Sequence, residues 1–330
     1  MPAAAELSFD MPLSAGDSML YGTAFLAMNA DSWDAAQAAA ARADNPLLQK
    51  VLRGLDLGRD QGDASFKEIA EFLIANPHWP RRGSLRLEAE RRLPADMSAK
   101  IVVGWFDEFP PLTFDGILRY GEALTRLERT ADLRRFIADR WTSVQLTQDQ
   151  QATFLELFGD MLDEADHRAR LQALLWSNRA REARRLYPLL DKDQRALAEA
   201  RLLLAGRARR GVDGAVGAVP EALAEDEGLI YERVRWRRRA DNTEGAIELL
   251  ALEPEVTTRP DRWWTERNIL ARRLYAEGDY RGAYDLVHDR RGLGRSDMAE
   301  AEWLSGWLAL RFIDRPDLAE LHFRRLYENV

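Results

Sequence analysis

Two kinds of side chain in this sequence are suited to chemistry, carboxylates and indoles, and both are abundant. The 55 acidic residues could supply the proton donor that glycoside cleavage and related reactions require. Such a donor needs a raised pKa in an apolar cleft, and no spacing in the sequence singles one out. Most acids on a helical surface are solvated or pair with arginine. The four histidines, His78, His167, His288 and His322, are scattered, with no pair four residues apart around a glutamate, so no metal site is expected. Absence of a Gly-x-Ser-x-Gly elbow, a phosphate-binding glycine loop and a dinucleotide fingerprint removes support for a serine nucleophile or a cofactor. There is no cysteine, hence no thiol nucleophile, disulfide or thiolate metal site.

Ten tryptophans are many for 330 residues. Indoles stack on ligands or fill cores. Trp303 and Trp307 share a helical stripe with Gly306 and Leu310, which predicts core packing. Trp79, between Pro77 and Pro80, reads as a packing plug at a helix-helix turn. Trp263 and Trp264 are adjacent and therefore lie at different azimuths of a helix; if one points into the core, the other is available to a ligand. Arg233, Arg235, Arg237, Arg238 and Arg239 surround Trp236 in the densest basic cluster. Such a run is ordinarily a solvated face, and arginine's planar fork also suits carboxylates.

The elements that must position these residues are helical. Phe66, Ile69, Ala70 and Leu73 recur at i, i+3, i+4 and i+7, as do Tyr280, Ala283, Tyr284 and Val287. Ser65 with Glu68 and Asp317 with Glu320 have capping-box spacing, while Asn76-Pro77, Gly278 and Arg315-Pro316 are stop signals. Asp115-Gly116 and Asp213-Gly214 lack flanking alternation, so neither predicts a hairpin. A degenerate repeat runs through the second half: small residues at Ala183, Ala215, Ala246, Ala283 and Ala319 open the second helix of successive pairs, at spacings of 32, 31, 37 and 36. That period belongs to helix-turn-helix solenoids, whose pairs bury their apolar faces only by stacking.

Apolar residues at 46% and charged residues at 31% fit a folded, soluble chain. No apolar run reaches the roughly 20 residues that cross a bilayer, and residues 1–10 lack the pattern of a signal peptide. The net charge of −8 argues against a nucleic-acid partner. Lys50, Lys67, Lys100 and Lys192 are the only lysines, so arginine carries the positive charge, a bias that coding preference alone would produce.

Two stretches resemble a known family. Phe66-Lys67-Glu68-Ile69-Ala70-Glu71-Phe72-Leu73, then Asn76-Pro77-His78-Trp79-Pro80 and Leu85, Glu88, Ala89 and Glu90, are similar to the opening helices of soluble lytic murein transglycosylases. Trp263-Trp264-Thr265-Glu266-Arg267, Leu270-Ala271-Arg272-Arg273, Gly278-Asp279-Tyr280, Ala283-Tyr284 and Ala301-Glu302-Trp303-Leu304-Ser305-Gly306-Trp307 resemble the later part of the same superhelical domain. Residues 95–255 match in helical character alone.

The resemblance implies an all-α, right-handed superhelix of tetratricopeptide-like hairpins, ring- or arc-shaped. It would be a single domain over 1–330, with N-terminal helices at 1–60, the first half of the superhelix at 61–175 and degenerate pairs at 176–330. Family members are periplasmic lyases that cleave the bond after N-acetylmuramic acid and form a 1,6-anhydro sugar. Their catalytic Glu-Ser dipeptide and Gly-Leu-Met-Gln stretch do not occur here. The chain is therefore expected to be a catalytically silent scaffold, a fragment or truncated relative that lacks the C-terminal catalytic domain. Expected partners are glycan strands or stem peptides and that catalytic domain. Murein carboxylates make Arg235 and Arg238 candidate ligand contacts, with Trp263, Trp264 and Arg267 of the second block. The competing expectation is a stand-alone adaptor that binds a protein or peptide on a solenoid face. The last apolar stripe, around Leu326 and Tyr327, is expected to lie uncovered.

Overall fold

The computed structural model describes residues 13–60, 62–288 and 292–329, so the reading of residues 1–10 falls outside it. Among the described residues the secondary structure is nineteen α-helices with three short 3-10 turns and no strand. None of these helices is long and apolar enough to cross a membrane. The chain forms two compact units. One runs to Arg140 and includes Val144–Met161; the other comprises Trp141–Ser143 and everything from Leu162.

The first unit holds α1 (Ala15–Asn29), α2 (Trp33–Ala40), α3 (Pro46–Leu57), α4 (Phe66–Ala75), α5 (Arg82–Arg91), α6 (Ala99–Glu108), α7 (Phe114–Arg126), most of α8 (Thr130–Ser143) and α9 (Gln148–Phe158). The stripe predicted on α4 is the buried one: Phe66, Ile69, Ala70 and Leu73 all face the core. Ser65 and Glu68 form the expected capping box. The Ser65 N–H donates to Glu68 Oε2 at 2.8 Å, the Glu68 N–H donates to Ser65 Oγ, and Arg53 adds a 2.5 Å bond. The Ser65 N–H first, then its hydroxyl and Arg53, hold the Glu68 carboxyl at about 2, below its ordinary 4.5. Because the folded value is the lower one, the box stabilises fully above the unfolded value, and that stabilisation is lost as pH falls through the folded one. Replacing Glu68 with Gln is expected to flatten the acid limb of stability measured by urea titration below pH 4.5. An acid limb identical to that of the parent chain would contradict the assignment.

The second unit stacks five pairs in sequence: α10 (Glu164–Trp176) with α11 (Ala180–Arg185), α12 (Lys192–Ala205) with α13 (Val212–Gly217), α14 (Glu227–Arg239) with α15 (Thr243–Leu250), α16 (Pro260–Glu277) with α17 (Tyr280–Val287), and α18 (Arg295–Arg311) with α19 (Pro316–Asn329). The five small residues of the repeat each lie on the second helix, and Ala183, Ala246, Ala283 and Ala319 are at most 1% exposed. Both Asp-Gly pairs sit inside helices, α7 and α13.

Within most pairs the turn is closed the same way. One residue adopts the left-handed conformation, and the next N–H donates five residues back, as in Arg179→Leu174, Ala208→Leu203, Asn242→Arg237 and Asp279→Leu274. This is the Schellman closure, which satisfies carbonyls left open at the helix end. Only Gly278 announces it in sequence; the equivalent positions are Asn178, Arg207 and Asp241, with Asp31 and Glu128 in the first unit.

Two expectations need correcting. Asp317 lies inside α19, because Pro316 occupies the first helical position, and its carboxylate is held by Arg315 at 2.6 and 2.8 Å. Trp303 and Leu310 are half exposed and do not face the core; α18 buries Ala301, Leu304, Leu308 and Ala309 instead. Trp303 lies parallel to Trp307, with centroids 5.9 Å apart, so the indoles pack on each other along the helix flank. Tyr327 is 89% exposed.

Candidate functional site

The five residues singled out by the sequence converge on α14 and α16, and each meets a carboxylate of its own chain. Arg235 Nη1 donates to both oxygens of Glu232, at 2.7 and 2.9 Å. Arg238 reaches across to α16, where its Nε and Nη2 both donate to the buried Glu266, and the Arg235 guanidinium lies 3.8 Å from the same carboxylate. Arg267 grips Glu253 through Nε and Nη2 at 2.8 and 2.5 Å. Trp263 Nε1 donates to Glu227 and Trp264 Nε1 to Glu300. The expectation that one of the adjacent indoles is exposed does not hold: Trp263 and Trp264 are 1% and 3% exposed, in separate core clusters. Because α16 is flanked on both sides, both azimuths are covered.

These contacts belong to a wider pattern. Arginines and an indole on α12, α14 and α16 bond to the neighbouring pair. Arg201 donates to Gln172, Trp236 to the Ala208 carbonyl, Arg239 to the Ala205 carbonyl, Arg273 to the Arg238 carbonyl and Arg272 to Glu300. Hydrogen bonds involving a charged group contribute roughly 1.5–3 kcal/mol each. The first unit does the same, with Arg92 bonded to the Arg59 and Ala64 carbonyls, Arg86 to Pro110 and Arg119 to Pro94. Arginine's abundance thus has a structural use that lysine's point charge would fill poorly.

Beside this row lies a cleft of about 430 Å³, lined by Thr142, Gln172, Trp176, Asp226, Glu227 and Arg259, among others. Asp226 caps α14 by accepting from the Leu229 N–H at 2.9 Å, and also receives Arg201 Nη1 and Gln172 Nε2, each at 3.2 Å. Glu227 accepts from the Thr258 N–H and hydroxyl and from Trp263. Trp176 is half-buried, with the Arg201 guanidinium 5.2 Å from its centroid on one side and Tyr231 tilted against it. Beneath the cleft, burial lowers the pKa of Arg201, against the pull of Asp226, and raises that of Glu232, outweighing its bond from Arg235. Gly228 permits the arrangement: a Cβ there would lie 2.0 Å from the Arg201 guanidinium carbon.

The cleft presents carboxylate acceptors, an amide, two hydroxyls, an exposed arginine and an indole. That set suits a ligand rich in hydroxyls and carboxylates. Among the described residues no three histidines, aspartates or glutamates are grouped to hold a metal ion. The only sequence sign of the cleft is Asp226-Glu227 ahead of the apolar Leu229-Ile230-Tyr231, which predicts a helix cap and nothing more.

No protein-family model matches the chain, and no curated protein matches it. Among solved structures it is similar to the 70 kDa soluble lytic transglycosylase of Escherichia coli, with 14% identity, a TM-score of 0.48, and coverage of 96% of this chain and 66% of that one. The chain thus spans just under two thirds of that protein's length.

Proposed function

We propose that this chain is a non-catalytic helical scaffold of a periplasmic, murein-processing lytic transglycosylase, one that positions a separate catalytic domain and retains glycan strands. The observation that carries the reading is the cleft at Trp176, Asp226, Glu227 and Arg259. Its indole and hydrogen-bonding groups match the faces and hydroxyls of a glycan, and Arg259 matches a lactyl or stem-peptide carboxylate. Its two carboxylates are anchored by donors from the scaffold, the role of a binding wall. The two family-like sequence blocks supply the substrate class. Arg235, Arg238, Arg267, Trp263 and Trp264 enter the reading as the groups that hold the wall together.

The test is co-sedimentation with purified murein. The full chain is expected to pellet with murein, and the pair Trp176→Ala and Arg259→Ala to cut the bound fraction at least several-fold while the thermal melt stays cooperative. Unchanged pelleting by the double variant would refute the cleft assignment. Release of 1,6-anhydro products by the chain alone would refute the silent scaffold.

A second reading, a peptide-binding adaptor, is favoured by a different feature. A groove of about 840 Å³ along α15 and α17 has Ile247, Leu274 and Leu286 in its lining and Glu244, Glu248 and Glu277 around them. Such a groove suits a basic, apolar peptide. No murein pelleting, together with saturable binding of such a peptide, would favour this reading.

A further inference from the structure

Residue 54 is a glycine within α3, and a Cβ at that position would lie 2.2 Å from Trp79 Cζ2. The missing side chain lets the Trp79 indole press onto the helix, where Phe72 meets it edge-on with centroids 4.9 Å apart. Trp79 is therefore the packing plug that its place between two prolines predicts, but an incomplete one. Beside it an apolar cavity of about 440 Å³ stays open, lined by Leu47, Val51, Leu55, Trp79 and Leu85. The cavity opens to the surface, and its size is in the range that holds small ligands.

The charge at the cavity is one-sided. Arg81 also lines it, exposed and with a left-handed backbone (φ 58°), and no acidic residue lies in the first turn of α5. The neighbouring arginines are all engaged: Arg53 with Glu68, Arg59 with Asp56, Arg82 with the Pro77 carbonyl, Arg86 with the Pro110 carbonyl, and Arg91 and Arg92 with Glu88. Arg81 has no ion pair or side-chain hydrogen bond among the described residues. In a chain of net charge −8, a free guanidinium beside an unfilled apolar cavity is complementary to an anion that carries an apolar body.

We propose that this cavity binds a small amphipathic monocarboxylate, with its ring or branched alkyl group against Trp79, Val51 and Leu55 and its carboxylate on the Arg81 guanidinium. The apolar lining selects for the body and the planar fork for the carboxylate. The site lies wholly in the first unit and is independent of the cleft in the second, so neither reading stands or falls with the other.

Ligand-observed saturation-transfer NMR on the full chain, with 3-phenylpropionate as probe, tests it. Saturable binding is expected, at least tenfold weaker for the uncharged amide and for Arg81→Gln, and lost in Ser84→Phe, which places a ring into the space. Acetate, lacking the apolar body, is expected not to compete. Absence of saturable binding, equal binding of acid and amide, or full affinity in Arg81→Gln would each overturn the proposal. Arg81 is exposed, so its variant is expected to fold; should Ser84→Phe unfold, the comparisons of amide and Arg81→Gln still decide.

Discussion

Gly228→Ala is expected to destabilise the chain by about 1–3 kcal/mol, the usual range for overpacking, yet to cost nothing once Arg201 is also replaced by Ala. The Arg201 guanidinium crosses directly over Gly228, so an added methyl must push aside a side chain that is 2% exposed and bonded to Gln172 and Asp226. Arg201→Ala alone is expected to cost about 3–5 kcal/mol, because it leaves Asp226 without its buried cation. In that background the overlap is gone, and alanine's better helix propensity, worth roughly 0.5–1 kcal/mol over glycine, makes Gly228→Ala neutral or mildly stabilising. Urea denaturation of the four proteins in this double-mutant cycle reads the coupling directly. Equal costs of Gly228→Ala in both backgrounds would show that the guanidinium does not pass over residue 228.

Glu266→Ala is expected to rank with the most damaging single substitutions in the second unit, at about 3–5 kcal/mol. Its carboxylate is 2% exposed and accepts from Arg238, with Arg235 3.8 Å away; truncation leaves the Arg238 guanidinium, 14% exposed, without the carboxylate that both its donors reach, while Arg235 keeps Glu232. The matched control is Glu320→Ala. That residue pairs with Arg324 on the outside of α19, with both partners over 60% exposed, and exposed pairs contribute roughly 0–1 kcal/mol. Chemical denaturation should separate the two variants by at least about 2 kcal/mol on the same principles. A Glu266→Ala cost no larger than that of Glu320→Ala would remove the inter-pair ion cluster as a source of stability.

Local periodicity made the helices readable, because a stripe such as Phe66, Ile69, Ala70 and Leu73 reports one buried face whatever covers it. The repeat was readable for a related reason: Ala183, Ala246, Ala283 and Ala319 are small because another helix lies against them. Misreadings arose where residue type and environment part company. Trp303 has the spacing of a core residue, but nothing local says that α18 turns its Leu304 and Leu308 face inward. The burial of both Trp263 and Trp264 depends on how many neighbours α16 has, a tertiary fact. Turn geometry was hidden because Asn178, Arg207 and Asp241 take a backbone conformation that only glycine advertises. The cleft was illegible for the plainest reason: Gln172, Asp226 and Arg259 come to line one cleft only after four pairs have stacked, and none is an unusual residue type.

The bond from Gln172 on α10 to Asp226 at the head of α14 bypasses the intervening α12, whose Arg201 it shares. Other rivets in the row join adjacent pairs, so an end pair such as α18–α19 can detach alone, like the last slat of a blind. Here three successive slats are tied by one knot and must come loose together. Any strand lying in the cleft would therefore be held by the part of the row that is slowest to unravel.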